Sequence, residues 1–139
     1  MLPQEFPTTP TSPRPRLLIV DDSPVALAFL EAIFKGAYFE VETAGHGVEG
    51  LDKALRLEPD LIVTDGLMPD VDGFELIRRV KSHESLAHIP IVMLTSGDFN
   101  DTEYTSRVPQ PDAFVAKSMQ IEPLMNQVKA LLAERSKRP

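Results

Sequence analysis

The sequence predicts an α/β fold built on a parallel sheet, and two observations carry that prediction. After Arg16, short aliphatic runs alternate strictly with longer amphipathic ones, and three of the aliphatic runs are apolar on consecutive residues. Strict alternation requires parallel strands joined by right-handed crossovers. Unbroken apolar runs suit central strands covered on both faces.

The elements follow in order. Residues 1–15, MLPQEFPTTPTSPRP, carry prolines at 3, 7, 10, 13 and 15, so neither helix nor sheet runs through them. They read as a disordered tail, with PxxP spacing at Pro7, Pro10 and Pro13 that is a common pattern in linkers. The strands are LLIV (17–20), FEVETA (39–44), DLIVTD (60–65), PIVMLT (90–95) and DAFVAK (112–117). Helical spacing spans Val25–Phe34, Gly47–Leu57, Phe74–Lys81 and Ile121–Ala133. Ser23 before Pro24 is a good N-cap with proline at the first helical position, and Asp72 before Gly73 and Phe74 has the form of another N-cap. The last helix is clearest, since Ile121, Leu124, Met125, Val128, Leu131 and Leu132 form one stripe. Residues 96–111 are polar, and Pro109 and Pro111 end any helix by about Val108, so a short fourth helix is expected there. A single domain over 16–135 results, followed by a basic end at 136–139.

Composition narrows the function. With 139 residues, 42% of them hydrophobic, the chain suits one domain. A net charge of −7 repels nucleic-acid backbone, and the short cluster Arg135, Lys137 and Arg138 does not reverse that. Absence of cysteine removes disulfides, thiolate nucleophiles and Cys-type zinc sites. No apolar stretch is long enough to cross a bilayer, and a soluble cytoplasmic protein is expected. His46, His83 and His88 show no ligand spacing and are assigned to the surface.

Ligands of an open parallel sheet bind outside the carboxyl ends of its strands. Here the first strand ends in Asp21 and Asp22, the third in Asp65, the fourth in Thr95 and Ser96, and the fifth in Lys117. Gathered carboxylates repel: two charges about 4 Å apart cost a few kcal/mol at an effective dielectric of about 20. An all-oxygen acidic site without His or Cys suits magnesium or manganese better than zinc. Capping alone does not explain Asp21 and Asp22, because Ser23 already supplies the cap. Asp65 taken singly reads equally well as a turn residue, Thr95 as a β-former and Lys117 as a solvated charge. All of them stand at strand ends on one side, and that coincidence favours a site. A carboxylate beside a divalent ion, a lysine and a hydroxyl can attack a phosphoryl group and form an acyl phosphate, and Asp65, alone on the middle strand, is the best nucleophile. Asp70 and Asp72 lie near but outside this site.

The segments IVDDSP (19–24), TAGHGVEGL (43–51), IVTDGLMPDVDGFEL (62–76), PIVMLTS (90–96) and FVAK (114–117) resemble the receiver domain of two-component response regulators, over about residues 16–135. The resemblance implies a flavodoxin-like three-layer sandwich with sheet order 2-1-3-4-5, five helices and a short fourth one. It implies phosphoryl transfer onto Asp65 from a sensor histidine kinase or histidine phosphotransfer protein, and a downstream protein partner not named by the sequence. Magnesium would be held by Asp22, Asp65 and the backbone carbonyl of Leu67, with Asp21 acting mainly through water. Thr95, with Ser96, would bond the phosphoryl group, Lys117 would pair with it, and Phe114 would change rotamer on activation. An ordinary core aromatic is as good a reading of Phe114, whose place in its strand permits either.

Three features depart from the family pattern. Ser118 follows Lys117 where proline is usual, and a non-proline cis bond costs roughly 3 kcal/mol over trans, so the loop and the reach of Lys117 are expected to differ. Leu67 places an apolar side chain at the pocket mouth. Segment 96–111 lacks the usual Gly-Ala, and its Asp98, Asp101 and Glu103 read as a solvated acidic face.

Other classes fit less well. An aspartate-based phosphatase needs a second carboxylate two residues after the nucleophile, where Leu67 stands. A nucleotide-binding domain needs a glycine-rich loop after the first strand, where DDSP stands. The alternatives kept are a phosphorylation-independent adaptor, favoured by Ser118 and opposed by the acidic trio, and the receiver part of a longer regulator.

Overall fold

The computed structural model describes residues 14–95 and 106–136. Its elements are β1 (Arg16–Val20), α1 (Pro24–Gly36), β2 (Glu40–Ala44), α2 (Gly47–Leu57), β3 (Leu61–Asp65), α3 (Gly73–Lys81), β4 (Ile91–Thr95), β5 (Ala113–Ala116) and α4 (Glu122–Ser136). The five strands form one parallel sheet in the order β2-β1-β3-β4-β5, as the resemblance implies.

Period-two alternation along the strands builds two cores. Leu17, Ile19, Leu61, Val63, Val92 and Leu94 face one way, against Leu30 and Phe34 of α1 and Leu124 and Val128 of α4. Leu18, Val20, Ile62, Ile91 and Met93 face the other way, against Ala54 of α2 and Leu76, Ile77 and Val80 of α3. Among the described residues two helices cover each face, and β3 and β4 are buried along their whole length. Each fully buried aliphatic side chain contributes about 1.5–3 kcal/mol, and the resulting rigidity holds the strand ends in place.

Sequence-level caps hold. Ser23 Oγ accepts the Ala26 N–H at 3.2 Å, and Asp72 Oδ1 accepts the Glu75 N–H at 2.9 Å. His46 lies on the surface as expected, yet its Nδ1 also accepts the Glu49 N–H and caps α2.

The structure moves one boundary, that of the tail. The tail expected over 1–15 falls outside the described residues only through residue 13. Arg14 stacks on Tyr38, 4.5 Å from its ring centroid, and the Pro15 carbonyl accepts the Glu40 N–H at 2.9 Å, so the first is tied to the turn before β2 and the second to β2 itself. Four helices occur among the described residues. The expected short helix, with Ser96, Asp98, Asp101 and Glu103, lies mostly at 96–105, outside them, and so do residues 137–139 of the basic end.

Candidate functional site at the carboxyl ends of the strands

β1 and β3 are neighbours in register, so their ends deliver Asp21 and Asp65 to one place. Asp21, wholly buried, accepts the Ser23 N–H on Oδ1 at 2.9 Å, and its own N–H bonds the Ala44 carbonyl. Asp22 is exposed. Carboxylate oxygens of Asp21, Asp22 and Asp65 all lie within 4.8 Å of one another, the one group of this kind among the described residues.

Lys117, just past β5, reaches into this group. Its backbone N–H donates to the Thr95 carbonyl at 2.6 Å, and its Nζ stands 2.8 Å from Asp21 Oδ2 and 3.2 Å from Asp65 Oδ2. Asp21 Oδ2 has this charge partner and no further partner among the described residues. The Lys117–Ser118 peptide is trans, and the turn is closed instead by Ser118 Oγ accepting the Gln120 N–H at 3.0 Å. The missing proline therefore leaves the reach of Lys117 intact.

Charge is not balanced. Among the described residues the site sets three carboxylates against one ammonium. Burial first, then the neighbouring Asp21, push the Asp65 carboxyl above its ordinary value, against the pull of Lys117 and the Leu67 N–H. Burial pulls the Lys117 ammonium down, but the contacts with Asp21 and Asp65 outweigh it and raise it. The donor set fits a small divalent ion: all oxygens, two buried carboxylates and an exposed one facing solvent.

Thr95 is buried at the end of β4, and its Oγ1 has no hydrogen-bond partner among the described residues. Ser96, expected beside it, lies outside them. The Leu67 side chain is 59% exposed, which agrees with an apolar group at the pocket mouth. Phe114 is half-buried and its ring packs on Phe74 at 6.3 Å between centroids.

The loop from Gly66 to Asp72 is held at both ends. The Gly73 N–H bonds the Gly66 carbonyl at 3.0 Å, and a Cβ on Gly73 would meet the Asp65 carbonyl oxygen. Only glycine lets α3 start so close to the end of β3. Asp70, left out of the site, has φ 65°, a left-handed conformation that Asp tolerates in turns.

Sequence reasoning missed Arg107. Its guanidinium lies 4.7 Å from the centroid of the Phe74 ring and 3.4 Å from Asp72, contacts made across more than thirty residues with no local signature. It also missed an apolar groove of ≈ 360 Å³ beside Lys117, between α1 and α4. Phe29, Leu94, Ile121 and Leu124 line it, with Val25 and Met119 strongly exposed at its rim. Among the described residues no helix is long and apolar enough to cross a membrane.

Comparison with known proteins agrees with this geometry. The sequence matches the response regulator receiver domain over residues 17–129. It is 33% identical over 126 residues to the DNA-binding dual master transcriptional regulator RpaA of Synechocystis, covering 90% of this chain and 52% of RpaA. The chain thus spans about half of RpaA, and much less of some other curated relatives. Among solved structures, the receiver domain of a signal transduction histidine kinase from Syntrophus aciditrophicus superposes with a TM-score of 0.81 at 30% identity, covering 90% of this chain and 95% of that one. The response regulator TrrA of Thermotoga maritima, solved in complex with Mg2+-BeF, superposes with a TM-score of 0.75 at 28% identity, covering 84% and 98%. This chain belongs to the response regulator receiver domain family.

Proposed function

We propose that the chain accepts a phosphoryl group on Asp65 from a sensor histidine kinase or a histidine phosphotransfer protein, and signals by changing which protein it binds. The observation that carries this reading is the placement of Asp65 at the tip of the central strand, inside an acidic group that includes Asp21 and Asp22 and 3.2 Å from the Lys117 ammonium.

The residues divide the work. Asp65 supplies the carboxylate oxygen that forms the new P–O bond while the donor's P–N bond breaks, leaving an acyl phosphate. Lys117 offsets charge on the transferred group, as a preorganised cation in a partly dry site does. Thr95 brings a buried hydroxyl without a partner among the described residues, able to donate to a phosphoryl oxygen. Asp22, Asp65 and the Leu67 carbonyl would hold magnesium or manganese, with Asp21 acting through water; bound there, the ion supplies neutralisation of the charge that Lys117 leaves uncovered. The Mg2+-BeF complex of TrrA supports this assignment. Phe114 serves as the aromatic whose packing changes with phosphorylation.

The partner is a protein. The groove beside Lys117, with Val25 and Met119 at its rim, fits the apolar surface of a phosphodonor. RpaA is named as DNA-binding, but this chain spans half of RpaA and carries a net charge of −7, which supports no direct contact with nucleic acid. Turnover is limited to the chain's own phosphorylation and its loss.

Intact-protein mass after incubation with acetyl phosphate tests the reading. One added phosphoryl group that requires both magnesium and Asp65, and is absent in Asp65→Asn, is the expected result. No adduct in any condition, with no magnesium binding, would return the adaptor reading.

A further inference from the structure

Arg107 precedes β5 in the connection from β4, and its two contacts join parts of the molecule that flank Asp65. Both Nη atoms approach the Asp72 carboxylate at 3.4 Å, and the guanidinium covers the Phe74 ring at 4.7 Å. Asp72 does not need Arg107 for its capping role, because its Oδ1 already holds the Glu75 N–H. The other face of the relationship is the aromatic pair. Phe74 meets Phe114 at 6.3 Å with the rings tilted by 52°, and Phe114 lies three residues before Lys117 on β5.

We propose that Arg107 is a positioning residue: it fixes the Phe74 ring against Phe114 and so favours the arrangement of the site that carries no phosphoryl group. The inference rests on the phosphoacceptor reading of Asp65 and adds to it a residue that regulates the switch. A ring clamped between a guanidinium and a second ring cannot follow that second ring freely. When Phe114 changes rotamer, the Phe74 contact must be remade and the stack with Arg107 disturbed. These contacts belong to the state in which Lys117 sits on Asp21 and Asp65, so they weight the equilibrium toward that state. A half-exposed ion pair and a cation–π contact together bias such an equilibrium by roughly fivefold.

The test uses the full chain with magnesium and beryllofluoride as the phosphoryl mimic, reading binding by fluorine NMR and folding by thermal melts. Arg107→Ala is expected to bind beryllofluoride roughly fivefold more tightly than wild type, on the same reasoning. Arg107→Lys, which keeps the charge beside Asp72 but loses the planar stack, should fall between them. In a Phe114→Leu background the gain from Arg107→Ala should vanish, since there is no ring left to restrain. Unchanged or weaker binding by Arg107→Ala overturns the inference, as does an equal gain in the Phe114→Leu background, and a shift in melting temperature alone marks a purely structural ion pair and overturns it too. If the wild type binds no beryllofluoride and gains no phosphoryl group on Asp65, the phosphoacceptor reading fails and this inference with it. Binding that ignores Arg107 sinks this inference alone.

Discussion

A Cβ on Gly73 would stand 2.6 Å from the carbonyl oxygen of Asp65, closer than real Cβ atoms approach. The start of α3 is thus pressed against the end of the strand that carries the phosphoacceptor candidate. Gly73→Ala should destabilise the chain by about 1–2 kcal/mol, because overpacking outweighs the small gain in helix propensity. It should also weaken magnesium binding, since the displaced backbone is that of Asp65 and Gly66. Denaturant midpoints and magnesium titrations check both effects; an unchanged midpoint would mean that the loop yields without cost.

Charge at the site opposes folding in the absence of a cation. The Asp65 carboxyl is raised above its ordinary value of 3.8 by burial and by Asp21, so the folded state holds its proton more tightly than the unfolded one. Stability from this group is present below pH 3.8 and is lost as pH rises through the raised folded value. At neutral pH, Asp65→Asn should therefore melt a few degrees higher than wild type in magnesium-free buffer. Saturating magnesium should erase or reverse the difference. A lower melting temperature for Asp65→Asn without magnesium would contradict the electrostatic argument.

Leu67 sets an apolar group at the mouth of the pocket, more than half exposed. On the proposed role of Asp65, an apolar group there hinders the water that attacks the acyl phosphate. Leu67→Asn should shorten the phosphate lifetime several-fold while leaving adduct formation intact. Phosphorylated protein followed by mass over time decides this, and equal lifetimes would remove Leu67 from the list of controls.

Glu58 ends α2 with φ 46°. A left-handed conformation costs a non-glycine residue roughly 1–2 kcal/mol, and glycine returns part of that through its greater freedom in the unfolded chain. Glu58→Gly should stabilise the fold by about 0.5–1 kcal/mol. Because Glu58 lies at the amino end of β3, far along the strand from Asp65, phosphorylation should be unaffected.

The sequence displays its strands plainly, for a reason visible in the packing. LIVTD and IVMLT are buried on both faces, so no solvent-facing position interrupts them, and the five strands begin and end within about a residue of their expected bounds. Strand ends then place Asp21, Asp22, Asp65, Thr95 and Lys117 together without any knowledge of side-chain geometry. Strand order is different, since alternation of elements says nothing about which strands are neighbours; family resemblance supplied it. Contacts set by tertiary approach alone left no trace: Arg107 on Phe74, Arg14 on Tyr38, and the groove between α1 and α4. The stripe of α4 announces an apolar face, but not that its first turn stops short of filling the space beside α1.

Thr95 Oγ1 lies buried at the tip of β4 without a hydrogen-bond partner among the described residues. A buried hydroxyl in that condition carries a penalty of about 1–3 kcal/mol. On the phosphoacceptor reading proposed above, an arriving phosphoryl group offers this hydroxyl an acceptor that the described residues do not. On that same proposal, Thr95→Val removes the contact, so that a phosphoryl group on Asp65 should be stored without registering as a change in partner binding.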